Sequence, residues 1–123
     1  MERLWIGLGS AFALLSVAAG AFGAHALRGH LSEDALSIFE TAARYQMYHA
    51  LALLLMGVLA GKGGVGLTSV AGWLFTGGGL LFSGSLYLLA ITDVKWLGAI
   101  TPLGGLCFLA GWAALLIGAI RGT

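Results

Sequence analysis

Between Leu4 and Ala26 the chain carries no charged side chain, and the same pattern recurs along it. Further apolar runs extend over about 45–61, 67–91 and 102–120, and every Asp, Glu, Lys and Arg falls between the runs or at the chain ends. A helix needs about 20 mostly apolar residues to cross hydrocarbon, at about 1.5 Å rise per residue. Inside lipid each backbone N–H and C=O must be satisfied within its own segment, so runs of this length become helices. The sequence therefore predicts an all-α membrane protein, a compact bundle of four transmembrane helices forming one domain over residues 1–123. Composition agrees. Only 9% of residues are charged and the mean hydropathy is +0.98, whereas a soluble domain is about 25% charged.

The boundaries have their own chemistry. Gly61, Gly63, Gly64 and Gly66 surround Lys62 and predict a short turn. Pro102, the single proline, falls in the first turn of the fourth span, where its missing N–H costs least, with Thr101 as an available N-cap. Asp93, Lys95 and Trp96 read as a polar turn with an interfacial anchor, and Trp5 and Tyr87 as anchors near other span ends. In the longest connection, Ser32 before Glu33 and Asp34 signals a helix start. Leu36, Phe39 and Ala43 recur beside polar Ser37, Glu40 and Arg44. The expectation is a short amphipathic helical segment between the first and second spans, either lying at the interface or extending the second span, with the extension favoured. Arg3, the apolar stretch and Ala24-His25-Ala26 imitate a secretory signal peptide, but the run is long enough to span and is read as a retained helix. Arg3, Lys62 and Arg121 fall on one side and Arg28, Arg44 and Lys95 on the other, so positive-inside counting gives no orientation.

Lipid tails are as apolar as leucine, so the spans must be held together by close packing of small residues. The first span offers Gly9, Ala13, Ser16, Gly20 and Gly23; the third, Ser69, Gly72, Thr76, Gly79 and Ser83; the fourth, Gly104, Cys107, Gly111, Ala114 and Gly118. The second carries Ala43, Ala50 and Gly57 at heptad spacing, with Gly57 and Gly61 as a G-x-x-x-G pair. Cys107 is unpaired and reads as a small core residue. Some stripes are available for self-association.

Polar residues concentrate at the start of the second span. Glu40 and Arg44 stand four apart in the favourable order for an ion pair, and Arg44 and Tyr48, like Tyr45 and His49, are also four apart. His25 and His30 belong to the same leaflet. Three readings compete: aromatic anchoring beside a neutralised Glu40–Arg44 pair, haem or metal ligation through His25 and His49, and a polar path for a proton or small solute. No phosphate-binding loop, nucleophile elbow or basic stripe is present, so no enzymatic activity and no nucleic-acid partner are expected, and no cofactor or metal is assigned.

The strings Gly20-Ala21-Phe22-Gly23-Ala24-His25, Phe39-Glu40-Thr41-Ala42-Ala43-Arg44-Tyr45-Gln46-Met47-Tyr48-His49-Ala50-Leu51, Phe82-Ser83-Gly84-Ser85-Leu86-Tyr87 and Thr101-Pro102-Leu103-Gly104-Gly105 resemble, in this order, domain-of-unknown-function family 423, with transmembrane protein 256 as its animal relative. The resemblance covers nearly the whole chain. It implies a small membrane protein of about four helices and brings no activity with it. It also highlights His25, Glu40, Arg44, Tyr45, Tyr48, His49, Ser83, Ser85, Tyr87, Thr101 and Pro102. The expectation is one polar network capping the bundle, His25, Glu40, Arg44, Tyr48 and His49 meeting Ser85, Tyr87 and Thr101. The function expected is that of a non-enzymatic scaffold or accessory bundle in the cell membrane. Its partners would be the lipid bilayer and either a second copy or another membrane protein. A small-solute or ion conduit at His49 and a haem or metal protein are the alternatives.

Overall fold

The computed structural model describes residues 2–63 and 67–122. Gly64 and Gly66, expected in the turn after Lys62, lie outside the described residues. Four long helices follow one another: α1 (Glu2–Leu27), α2 (Glu33–Gly61), α3 (Leu67–Thr92) and α4 (Thr101–Arg121), with a 3-10 turn over Lys95–Ala99 leading into α4. Three segments are long and apolar enough to cross a membrane: Glu2–Leu27, Leu67–Thr92 and Lys95–Arg121. α2 falls outside that set because Arg44, Gln46, His49 and two tyrosines dilute its apolar stretch.

No separate amphipathic helix precedes α2. Ser32 Oγ accepts from the Ala35 N–H at 3.1 Å and starts one unbroken helix of 29 residues. Without Gly or Pro between Ser32 and Met56, nothing interrupts the backbone ladder. At about 1.5 Å per residue α2 is about 44 Å long, well beyond the roughly 30 Å of a hydrocarbon core. α1 is less regular than its small-residue spacing predicts: after Val17 it winds as a π-helix over Ala18–Gly23 before closing over Ala24–Leu27. At the head of α4, Pro102 occupies the first turn as expected, but Thr101 does not cap it; Ile100 holds the N-cap position with no side-chain bond. The Thr101 hydroxyl is engaged with Ser85 instead.

α2 and α3 form a central pair. α1 packs along α2 and α4 along α3, and no extended contact joins α1 to α4. The outer helices reach across through aromatic side chains. Trp5 and Phe12 of α1 enter the gaps left by Gly72 and Gly79 of α3, and Phe108 of α4 enters the gap at Gly78. In return Phe75 of α3 fills the gap at Gly111. The α1–α2 seam is different, with small residues meeting directly: a Cβ on Gly9 would lie 2.8 Å from the Ala50 carbonyl, and one on Gly20 would lie 3.4 Å from Ala43 Cβ. Gly23 accommodates Phe39, and Gly57 accommodates Ile6. Gly118 is buried in α4, while Ala13 and Cys107 are partly buried.

This packing overturns the anchoring role expected of Trp5. Its side chain is 0% exposed and lies against Gly72 and edge-on to Trp73. It shares one buried face with Gly9, Phe12 and Ser16, and the gap over Gly72 suits a ring better than headgroups would. Its indole N–H finds no acceptor among the described residues. Trp96, by contrast, is 65% exposed at the end of the bundle, beside the Lys95–Asp93 ion pair of 2.7 Å.

Candidate functional site

The residues expected to form one polar cap are divided among separate fastenings. Near the end of α3, Ser85 Oγ and Thr101 Oγ1 are 2.5 Å apart, joining α3 to α4. Tyr87 is not a headgroup anchor: its hydroxyl donates to Gln46 Oε1 at 2.7 Å, and its ring stands edge-on to Phe39. The Gln46 amide in turn donates to the Phe12 carbonyl at 2.8 Å. One buried side chain of α2 thereby ties down both α1 and α3. On either side of it Ser16 Oγ donates to the Ala43 carbonyl (2.6 Å) and Ser83 Oγ to the Ala42 carbonyl (2.8 Å). Each contact crosses between helices where water is scarce, which is how polar side chains hold membrane helices together.

His49 faces the other outer helix. Its ring is 4% exposed and lies flat on Phe108, with centroids 3.6 Å apart and planes 7° from parallel. The Trp112 indole N–H donates to Nε2 at 3.1 Å. Nε2 is therefore the lone-pair nitrogen, and Nδ1 carries the proton that it donates to the Tyr45 carbonyl at 2.8 Å. This neutral tautomer has both ring nitrogens occupied, leaving no lone pair for a metal. His25 lies exposed at the end of α1, near the level of Phe39. Ten residues of α2 separate Phe39 from His49, about 15 Å along the axis. The two histidines do not converge. A cavity of about 530 Å³ opens beside His49, walled by Tyr45, Phe82, Phe108 and Trp112 and bordered by Leu106 and Leu109. Its walls are hydrocarbon and aromatic face.

Glu40 and Arg44 do not pair. Among the described residues the one side-chain ion pair is Lys95–Asp93. Both Glu40 and Arg44 are exposed and line a notch of about 350 Å³ with Ser16, Gly20 and Ala21 of α1. Tyr45 and Tyr48 are exposed and meet edge to face at 5.5 Å, with Tyr45 also against Phe82.

Comparison with known proteins places this arrangement in a family. The family described as "Protein of unknown function (DUF423)" matches residues 19–105. The chain belongs to the DUF423 family. A UPF0382 membrane protein of Staphylococcus haemolyticus is 49% identical over 119 residues, 97% of either chain. One from Staphylococcus aureus is 48% identical over the same length and shares. The UPF0382 membrane protein YwdK of Bacillus subtilis is 46% identical over 120 residues, 97% of this chain and 98% of its own. No solved structure matches.

The DUF423 segment begins inside the π turn of α1 and ends near the start of α4, so it takes in the Tyr87–Gln46, Ser83–Ala42 and Ser85–Thr101 contacts, while Phe12 and Ser16 of α1 precede it. Sequence reasoning assigns Gln46 no role. The signal was there, since it is the single glutamine of a chain without asparagine, set within an apolar run. Trp112 and Phe108 left no comparable signal, because their value lies in meeting a histidine 63 and 59 residues away.

Proposed function

We propose that this DUF423 protein is a non-enzymatic four-span bundle of the cell membrane, an accessory or scaffold component that associates laterally with another transmembrane helix. The observation that carries the reading is the outward face of α3. Most of its glycines are filled by partners within the chain. Gly77 and Gly84, seven residues apart, have nothing within 4 Å of where a Cβ would stand. They lie on one side of the helix with exposed Trp73, Leu80, Leu88 and Ile91. Glycine within a helix costs about 1 kcal/mol relative to alanine in soluble hosts, and close approach of a second helix is the compensation available in lipid. That helix belongs to a second copy or to another membrane protein.

The interior supports the same reading. Leu53, Met56, Phe75 and Trp5 are each 0% exposed at the centre, and the serines and Gln46 are committed to other helices. A conduit through the bundle would need those groups to face water.

A photo-crosslinking residue at Leu80 should capture a protein in native membranes. Gly77→Leu/Gly84→Leu should abolish that capture while leaving thermal unfolding in detergent unchanged. Capture of lipid alone by both proteins would remove the association reading. For the four spans, single cysteines at His30 and Lys95, in a Cys107→Ser background, should react with an impermeant reagent from one side of the membrane. One at Lys62 should react only from the other side. Labelling of His30→Cys and Lys62→Cys from the same side would remove α2 as a span.

A further inference from the structure

We propose that the notch between α1 and α2 binds the headgroup of a zwitterionic aminophospholipid, its phosphate on Arg44 and its primary ammonium on Glu40; this rests on the four-span reading. The first observation is that two opposite charges stand one helical turn apart, both lining the same notch, and do not pair with each other. One turn is about 6 Å along the axis for four residues. A phosphate and an amine joined by a two-carbon link are suited to side chains so placed. Guanidinium is the side chain best matched to a phosphate, through two parallel N–H donors. A carboxylate accepts from a primary ammonium in a charge-assisted bond, whereas an anionic glycerol headgroup offers it only neutral hydroxyls together with a net negative charge.

Depth is the second observation. Counting a roughly 30 Å core back from Gly61 at about 1.5 Å per residue ends near Thr41. Glu40 then stands just outside the hydrocarbon and Arg44 just within it, close enough for its head to reach the boundary. This is the level at which lipid phosphates and amines are concentrated.

The third observation is the wall opposite. α1 presents Ser16, Gly20 and Ala21 to the notch, and the Ser16 hydroxyl is already turned to the Ala43 carbonyl. No long side chain from α1 reaches in to neutralise either charge. The π winding over Ala18–Gly23, with the Ala24 N–H bonded to the Ala19 carbonyl, lies at this wall, and such turns recur at functional sites. A space of about 350 Å³ is left between the helices.

The test uses the full chain, purified in detergent and mixed with equal amounts of phosphatidylethanolamine and phosphatidylglycerol of identical acyl chains, with bound lipid read by native mass spectrometry. The natural protein should retain the ethanolamine lipid over the glycerol lipid by about fivefold, the scale of one partly screened charge-assisted contact. Glu40→Gln should bring the ratio to about one, and Arg44→Gln should lower retention of both lipids. His25→Gln, in the same leaflet but outside the notch, should leave the ratio unchanged. Equal retention by the natural protein, or a ratio indifferent to Glu40→Gln, would overturn the site. So would equal competition by water-soluble glycerophosphoethanolamine, which would remove the lipid as occupant. A dimer lost in Glu40→Gln whatever the lipid would assign the charges to a second copy instead. Failure of the lipid preference with α2 labelled as spanning leaves the membrane reading standing, whereas same-side labelling at His30 and Lys62 removes both.

Discussion

Gly104→Ala should destabilise the bundle by about 2 kcal/mol or more, whereas Gly105→Ala, one residue on, should be neutral or slightly stabilising. A Cβ on Gly104 would stand 2.7 Å from both Cα and Cβ of Phe82 and closer still to its backbone N. Backbone cannot rotate away as the end of a side chain can, so α4 must move off α3. Overpacking of this kind costs about 1–3 kcal/mol, occasionally more. At Gly105 the nearest atom is Phe82 Cδ2 at 4.0 Å, ordinary contact, and alanine gains up to about 1 kcal/mol of helix propensity. Reversible unfolding of both variants in the same mixed micelles makes the comparison, with intrinsic propensity common to the two. Equal effects would mean that the α3–α4 seam is not set by this approach.

The same logic explains why the effect should not stop at one residue. Moving α4 away from α3 also draws Phe108 out of the gap at Gly78 and uncovers Gly111 from Phe75. Phe108 is the surface on which His49 stacks, and Trp112 is the donor that caps its Nε2. Gly104→Ala should therefore also perturb Trp112 fluorescence, while Gly105→Ala should not.

The helices were legible in the sequence because lipid leaves the backbone so few choices. The end of the second run at Gly61 and the first turn of α4 at Pro102 fall where the residues put them. The stripes Gly9-Ala13-Ser16, Gly72-Gly79 and Gly104-Gly111 were legible as close-approach faces. What they approach was not. Spacing along one helix marks a gap, but whether Ala43 or Trp5 fills it depends on which helices are neighbours, a tertiary fact with no local signature. Trp5 was misplaced for that reason. The π turn at Ala18–Gly23 was invisible because alanine and glycine support either winding. The polar cap failed in a more instructive way. Each of its members was rightly marked as polar within an apolar chain. The expectation that they would meet one another holds only for Ser85 and Thr101; His49 turns to the Tyr45 carbonyl and Trp112, and Tyr87 to Gln46, partners outside the expected set.

Gln46→Leu should cost about 1.5–3 kcal/mol, and Tyr87→Phe in that background should cost much less than it does alone. Gln46 makes two contacts across helices, to the Phe12 carbonyl and from the Tyr87 hydroxyl. Interhelical hydrogen bonds in lipid average about 0.6 kcal/mol and reach about 1.7. Leucine removes both and leaves the half-buried Tyr87 hydroxyl without its acceptor, and stranding a buried polar group costs about 1–3 kcal/mol. Tyr87→Phe alone strands Gln46 Oε1 in the same way. With both changed, no hydroxyl and no amide are left to satisfy, and hydrocarbon faces hydrocarbon. A double-mutant cycle on unfolding in bicelles should then give a coupling of about 1 kcal/mol, above the few tenths at which independent sites add. Additivity of the two changes would separate Tyr87 from Gln46 and return the tyrosine to the membrane surface.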